Sequence, residues 1–158
     1  MVKQSGGRRL HIVDPENLVG SGCCSEGHVA AIHAEYMALV AGDQDLALVG
    51  SSHFNQVSVA FGWADGCHLV RSGPSGADLA LIEAYGEVPN IGSFDGIVIA
   101  SGDGIFEEIA LDAVRRALPV TVVVGAGALS RRLQMMATQV VRLETAHAGF
   151  DGTYGSAA

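Results

Sequence analysis

The run Gly96-Ile97-Val98-Ile99-Ala100 carries no polar side chain, and a strand of that composition is stable only where both of its faces are covered. Val120-Thr121-Val122-Val123-Val124 is nearly as apolar, and shorter strand-like runs occupy residues 10–13, 46–49, 67–70 and 139–143. Between them lie stretches of helical period. In residues 28–40 the apolar positions are Val29, Ile32, Tyr36, Leu39 and Val40, and in 106–118 they are Ile109, Ala110, Ala113, Val114 and Ala117. Residues 57–61, 77–84 and 128–137 read as further helices. Strand and helix alternate along the whole chain, which predicts an α/β protein: a three-layer α/β/α sandwich around a mostly parallel central sheet of about five to six strands.

With 158 residues, 49% hydrophobic and 16% charged, the chain has the apolar surface for one domain core. The expected domain covers residues 10–146, with flexible ends at 1–9 and 147–158. No apolar run approaches the roughly 20 residues of a membrane span, and the N-terminal segment has no signal core, so a cytoplasmic protein without membrane association is expected. Cys23, Cys24 and Cys67 are odd in number and form no C-x-x-C pair, which indicates neither a disulfide framework nor a zinc ribbon. A net charge of −8 excludes a generally basic nucleic-acid-binding surface. It is compatible with a nuclease that gathers hard cations in an anionic pocket, with Arg131, Arg132 and Arg71 as candidates to receive a phosphate backbone.

Two apolar runs end in acids. Residues 10–13 lead into Asp14-Pro15-Glu16-Asn17, and residues 96–100 lead into Ser101-Gly102-Asp103-Gly104. In an open parallel sheet, ligands gather at the carboxyl ends of the strands, so Asp14 and Asp103 are expected to meet. Each alone is as readily a helix cap or turn former. Together, without a cation, they would repel until one took up a proton, whereas Mg2+ or Mn2+ accepts oxygen ligands from both. The small residues Ser101, Gly102 and Gly104 leave the Asp103 carboxylate uncovered. Asp78 falls in the first turn of the helix that follows Gly73-Pro74-Ser75-Gly76.

Several of these segments resemble one family. IVDPENL is similar to the opening D-x-x-N strand of NYN domains, a branch of the PIN-like nucleases, and IVIASGDGIFEEIALDAVRRALPVTVVVG resembles their S-G-D-x-x-F block. SGPSGADLALIEAY looks like their central Gly-x-Asp helix start, and ALSRRLQMMATQVVRL like their closing helix and strand. The resemblance spans residues 10–143. It implies a PIN-like fold in which Asp14, Asp78 and Asp103 hold Mg2+ or Mn2+ and a metal-activated water cleaves RNA. Asn17 and Ser101 would orient water or phosphate by hydrogen bonding; apart from the resemblance, His53 is a candidate phosphate contact by its loop position after the second strand, and Arg131 is a candidate substrate contact by its charge. A homodimer is a further expectation, since a second copy would lengthen the cationic track beside a shallow cleft.

The pattern departs from the family at two places, where Ile105 and Thr138 or Gln139 stand in place of further acids. Glu83, Glu107 and Glu108 are the substitutes the sequence offers. The thinner cluster keeps open a domain that binds RNA or a protein partner without cutting. A third alternative is a nucleotide-binding Rossmann-like protein, because Gly125-Ala126-Gly127-Ala128-Leu129-Ser130 nearly completes G-x-G-x-x-G between a strand and a helix. Phe61 and Trp63 are candidates for base stacking, although a core role is the more ordinary one. His28, His33 and His68 form no zinc-spaced pattern and read as bystanders.

Overall fold

A computed structural model describes residues 7–146; of the two expected flexible ends, 1–6 and 147–158 lie outside the described residues. Six strands form one sheet: β1 (Arg9–Val13), β2 (Leu46–Ser51), β3 (Cys67–Val70), β4 (Gly96–Ala100), β5 (Val120–Val124) and β6 (Gln139–Arg142). Their order is β3-β2-β1-β4-β5-β6, and every pairing is parallel. Six α-helices connect them: α1 (Pro15–Val19), α2 (Glu26–Leu39), α3 (Gln56–Gly62), α4 (Gly76–Glu87), α5 (Glu107–Arg115) and α6 (Arg131–Met136).

Because side chains alternate across a strand, the apolar runs feed two cores. Leu10, Ile12, Ile97, Ile99 and Val122 pack with Leu81 of α4, Ile109 of α5 and Leu133 of α6. Val13, Val49, Val98, Ala100 and Val123 pack with Leu18 of α1, Ile32 and Tyr36 of α2 and Val59 of α3. The sheet is covered on both faces, giving the three-layer α/β/α sandwich that the buried run of β4 demands.

The element ends depart from periodicity where local chemistry intervenes. Pro15 stops β1 as expected, but it sits at the first position of α1, a helix the pattern did not show. The fixed φ of proline suits that position, and the Asp14 side chain caps the helix. The stretch read as one helix over 106–118 is divided: a 3-10 turn at Gly104–Phe106 precedes α5, and Ala117 at φ 59° ends it. α6 starts at Arg131 rather than residue 128, since Ser130 caps it and the Ser130 amide is held by the Gly102 carbonyl at 2.8 Å. At the other end, β1 starts one residue early, with the Arg9 amide on Asp45 and the Arg8 amide on Asp95.

A polar network seals the end of the sheet where the strands begin. Buried His11 lies 2.7 Å from Asp45 and 2.5 Å from the Tyr36 hydroxyl. Burial holds the His11 pKa below its usual value, so the neutral ring donates Nε2–H to the carboxylate and accepts the hydroxyl proton at Nδ1. Arg9 completes the group by donating to Asp45 and to the Val40 carbonyl. Trp63 packs against Tyr36 here with 2% of its surface exposed, so it belongs to the core and is unavailable to a base. Among the described residues, no helix is long and apolar enough to cross a membrane.

Two glycines let loops press onto the strand ends. A Cβ on Gly125 would lie 2.1 Å from the Leu18 carbonyl oxygen, and one on Gly102 would lie 2.1 Å from that of Ala128. Gly125→Ala is expected to destabilise the fold by about 3 kcal/mol. Gly86→Ala, which meets nothing within 4 Å, should stabilise by roughly 0.5–1 kcal/mol. Urea denaturation of both variants checks the pair, and equal midpoints would contradict the packing account.

Candidate functional site

The strand order reverses between β1 and β4: the chain leaves β1 toward β2 on one side and β4 toward β5 on the other. Loops diverge at such a point and open a crevice above the carboxyl ends of the strands. The Asp14 amide extends the ladder by one bond, to the Ala100 carbonyl at 3.1 Å. This places Asp14 beside the Ser101-Gly102-Asp103 turn.

Hydrogen bonds then tie the two loops together. Ser101, fully buried, donates from Oγ to Asp14 Oδ2 at 3.2 Å, and the same oxygen accepts the Asp103 amide at 3.2 Å. Asn17 donates its amide to Asp14 Oδ1 at 3.3 Å, and its side-chain oxygen accepts the Gly102 amide at 3.0 Å. Gly127 lies so close that a Cβ there would stand 2.8 Å from the Asn17 side chain. Ser101 and Asn17 thus use their polar atoms to hold Asp14 and the β4 turn in place.

Asp78 arrives from the other helical layer. Ser75 at φ 54° and Gly76, whose missing Cβ clears the Arg71 carbonyl, turn the chain sharply into α4. Gly50 lets Leu81 of α4 settle onto β2. The first turn of α4 therefore reaches over the strand ends. The result is an open cleft of about 360 Å3 whose walls include four carboxylates, Asp14, Glu16, Asp78 and Asp103, together with Asn17 and the loop at residues 20–22.

Burial and then the neighbouring Asp78 charge raise the Asp14 pKa from 3.8 to about 8. Burial also raises Asp78, with the Asp103 and Glu16 charges adding to it. The two carboxyls are hydrogen-bonded to each other, and the proton is favoured on the more deeply buried Asp14, the response of two acids brought together. Asp103 Oδ1 accepts the Ile105 amide at 3.0 Å and Glu16 Oε1 accepts the Ser52 amide at 2.8 Å. Among the described residues, no three His, Cys, Asp or Glu side chains converge tightly enough to hold an ion as they stand. A cation would have to draw Asp103 or Glu16 toward the Asp14–Asp78 pair.

Of the residues singled out in the sequence, Asp14, Asp78, Asp103 and Asn17 line this cleft, with Ser101 directly behind Asp14. His53 does not line it; it is exposed and bonded to the Ser72 hydroxyl at 2.8 Å. Arg131 is exposed at the start of α6, outside the lining although next to Ser130. Glu83 pairs with Arg71, and Glu107 with Ser130 and Arg132, so neither supplies the missing acid. Glu108 lines a different hollow, between α5 and α6. Thr138 bonds Val120 at the start of β6, the opposite end of the sheet, where an acid could not reach the cleft. The residue that sequence reasoning missed is Glu16. Its signal was its place in the turn after β1, obscured because that turn did not read as a helix.

No family model matches the chain, and no curated protein matches it. Among solved structures, a protein of unknown function from Vibrio parahaemolyticus shares the fold, with a TM-score of 0.58, 17% identity, and coverage of 92% of this chain and 98% of that one.

The strand order is also that of dinucleotide-binding sheets. In those proteins the first β-α turn offers free amides to a pyrophosphate. Here that turn is Asp14-Pro15-Glu16-Asn17, in which Pro15 has no amide hydrogen and the Asn17 amide is bonded to Asp14. Gly125 and Gly127 instead serve contact with Leu18 and Asn17.

The proton on Asp14 has a thermodynamic consequence. A carboxyl whose pKa is higher folded than unfolded binds more protons in the folded state, so its contribution to stability falls as pH rises between about 4 and about 8. Asp14→Asn should therefore gain stability relative to the unaltered protein across that window. Urea denaturation at a series of pH values tests this, and parallel curves would contradict the shared proton.

Proposed function

We propose that this chain is a Mg2+- or Mn2+-dependent ribonuclease of the NYN type, with Asp14, Asp78 and Asp103 as cation ligands and Glu16 as an auxiliary acid. The observation that carries the proposal is the pairing of buried Asp14 with half-buried Asp78 at the point of strand reversal, in one cleft with Asp103 and Glu16. The donor set is oxygen only, which suits a hard cation, and the shared proton marks a place where positive charge is favourable. When bound, such a cation lowers the pKa of a water and offsets charge on phosphoryl oxygens. RNA as the substrate follows from the resemblance of the four segments to NYN domains.

The chain's own groups have definable tasks in this scheme. Ser101 and the Asn17 amide fix the two Asp14 oxygens, so the carboxylate is presented in one orientation. Asp78 loses its hydrogen-bonded proton partner when Asp14 ionises. Glu16, with one oxygen held by the Ser52 amide, has a second oxygen to take a proton from an attacking water. The openness of the cleft and the absence of a bulky residue at 20–22 admit a polymer backbone rather than enclosing a small molecule.

A binding domain that does not cut is the second reading. It is favoured by the Asp103 carboxylate being engaged with its own turn. Incubation of labelled single-stranded and structured RNA with the purified protein in Mn2+, Mg2+ or EDTA separates the two. Cutting that requires metal and falls at least about 100-fold in Asp14→Asn and Asp78→Asn is the expected result. Absence of cutting by folded protein with either metal would favour binding alone, and undiminished cutting by Asp14→Asn would contradict the site.

A further inference from the structure

Phe54, Val57 and Phe61 are exposed by 76%, 67% and 71%. Phe54 lies in the turn before α3, while Val57 and Phe61, four residues apart, share one face of the helix. The opposite face carries Val59 and Gly62 into the core. Single exposed apolar side chains are ordinary, but Val57 and Phe61 on one helix face, with Phe54 just before the helix, concentrate apolar surface in one short exposed segment.

The patch adjoins the acidic cleft by hydrogen bonds on both sides of Phe54. The Ser52 amide, two residues before it, donates to Glu16, a cleft carboxylate. Asn55, the next residue, is buried; its side chain accepts the Cys24 amide at 2.9 Å and donates to the Gly22 carbonyl at 3.0 Å. Gly22 is part of the cleft rim. One short segment thus forms a wall contact of the cleft at Ser52, holds its rim loop at Asn55 and projects an exposed ring between the two. Phe61 lies about 7.5 Å along the axis from Gln56, the first residue of α3, at 1.5 Å per residue.

Charge restricts what can occupy this surface. The chain has 9 Lys and Arg against 17 Asp and Glu. Arg9, Arg71, Arg116 and Arg132 are engaged with Asp45, Glu83, Asp112 and Glu107, and among the described residues no Lys or Arg lines the cleft. A polynucleotide whose phosphate enters such a cleft cannot draw its affinity from phosphate neutralisation. Base stacking on aromatic rings is the alternative source, and it is available only when bases are unpaired.

We propose that Phe54 and Phe61, with Val57 between them, form a stacking platform for the bases of a single-stranded nucleic acid running out of the acidic cleft, which selects unpaired over duplex substrate. This rests on the nuclease reading of the cleft for its choice of ligand, but it concerns binding and is measured without turnover. The platform supplies affinity largely independent of salt, while the cleft supplies the chemistry.

The test is fluorescence anisotropy of a labelled 15-nucleotide oligo(A) and of a blunt RNA duplex, in EDTA so that nothing is cut, at 50 and 200 mM KCl. The proteins are the unaltered chain, Phe54→Ala/Phe61→Ala and, as a conservative rescue, Phe54→Tyr/Phe61→Tyr. Single-strand binding that is at least about tenfold tighter than duplex binding, changes less than about threefold between the two salts, weakens at least about tenfold in the alanine variant and returns in the tyrosine variant supports the platform. Equal affinity of the alanine variant, or a change of a hundredfold or more with salt, overturns it. So does a homodimer in light scattering that the alanine variant converts to monomer, since the patch would then be covered by a second copy. Metal-dependent cutting with unaltered binding by the alanine variant would remove the platform and leave the nuclease; binding as expected without any cutting would do the reverse.

Discussion

Burying a carboxyl at the end of a central strand costs free energy unless something meets its charge or its proton, and Asp14 is buried with 4% exposure. Every neighbouring device answers that requirement. Ser101 donates to one oxygen and the Asn17 amide to the other, and Asp78 shares a proton. The same bonds that satisfy Asp14 fix α1 against the β4 turn, and through Gly125 and Gly127 they draw in the loop after β5. A strand end, a helix cap and an electrostatic site coincide in one side chain. Changing that carboxyl therefore alters the site's charge and the packing of three loops together.

The layers of the fold were legible in the sequence because they follow from apolar runs. Five buried residues in β4 leave no alternative to a covered, parallel sheet. That Asp14 and Asp103 would line one cleft was legible for the same reason, since both follow such runs. What the pattern could not give was short-range and polar. Five residues after a proline are too few to show a period, so α1 was hidden, and with it the position of Glu16. The substrate role given to His53 rested on loop position alone and that of Arg131 on its charge, and side-chain direction in a loop is set by partners such as Ser72 that no periodicity predicts. Gly125 and Gly127 imitated a phosphate-binding sequence because close backbone approach needs glycine whether the approaching group is a ligand or, as here, a helix.

Charge and apolar surface are distributed with a common logic around the cleft. A net charge of −8 concentrates a cation but repels a polyanion, so any nucleic acid here must be held by groups other than lysine and arginine. Exposed Phe54, in the turn before α3, adjoins Asn55, which grips the rim loop, and exposed Phe61 follows on the helix. At the far end of the sheet the polar residues are used differently: His11, Tyr36, Asp45 and Arg9 satisfy one another by hydrogen bonds. The cleft's carboxylates gather at the carboxyl ends of the strands, where a sheet of this order opens its crevice.

The central claim is that the Asp14–Asp78 pair holds a proton in the place of a divalent cation. Titration calorimetry with Mn2+ at pH 7, in buffers of different ionisation enthalpy, measures the exchange directly. With a pKa of about 8, Asp14 is mostly protonated at that pH, so binding should release close to one proton, and Asp14→Asn should release none. Saturable Mn2+ binding with no proton release, or release unchanged in Asp14→Asn, would contradict the account.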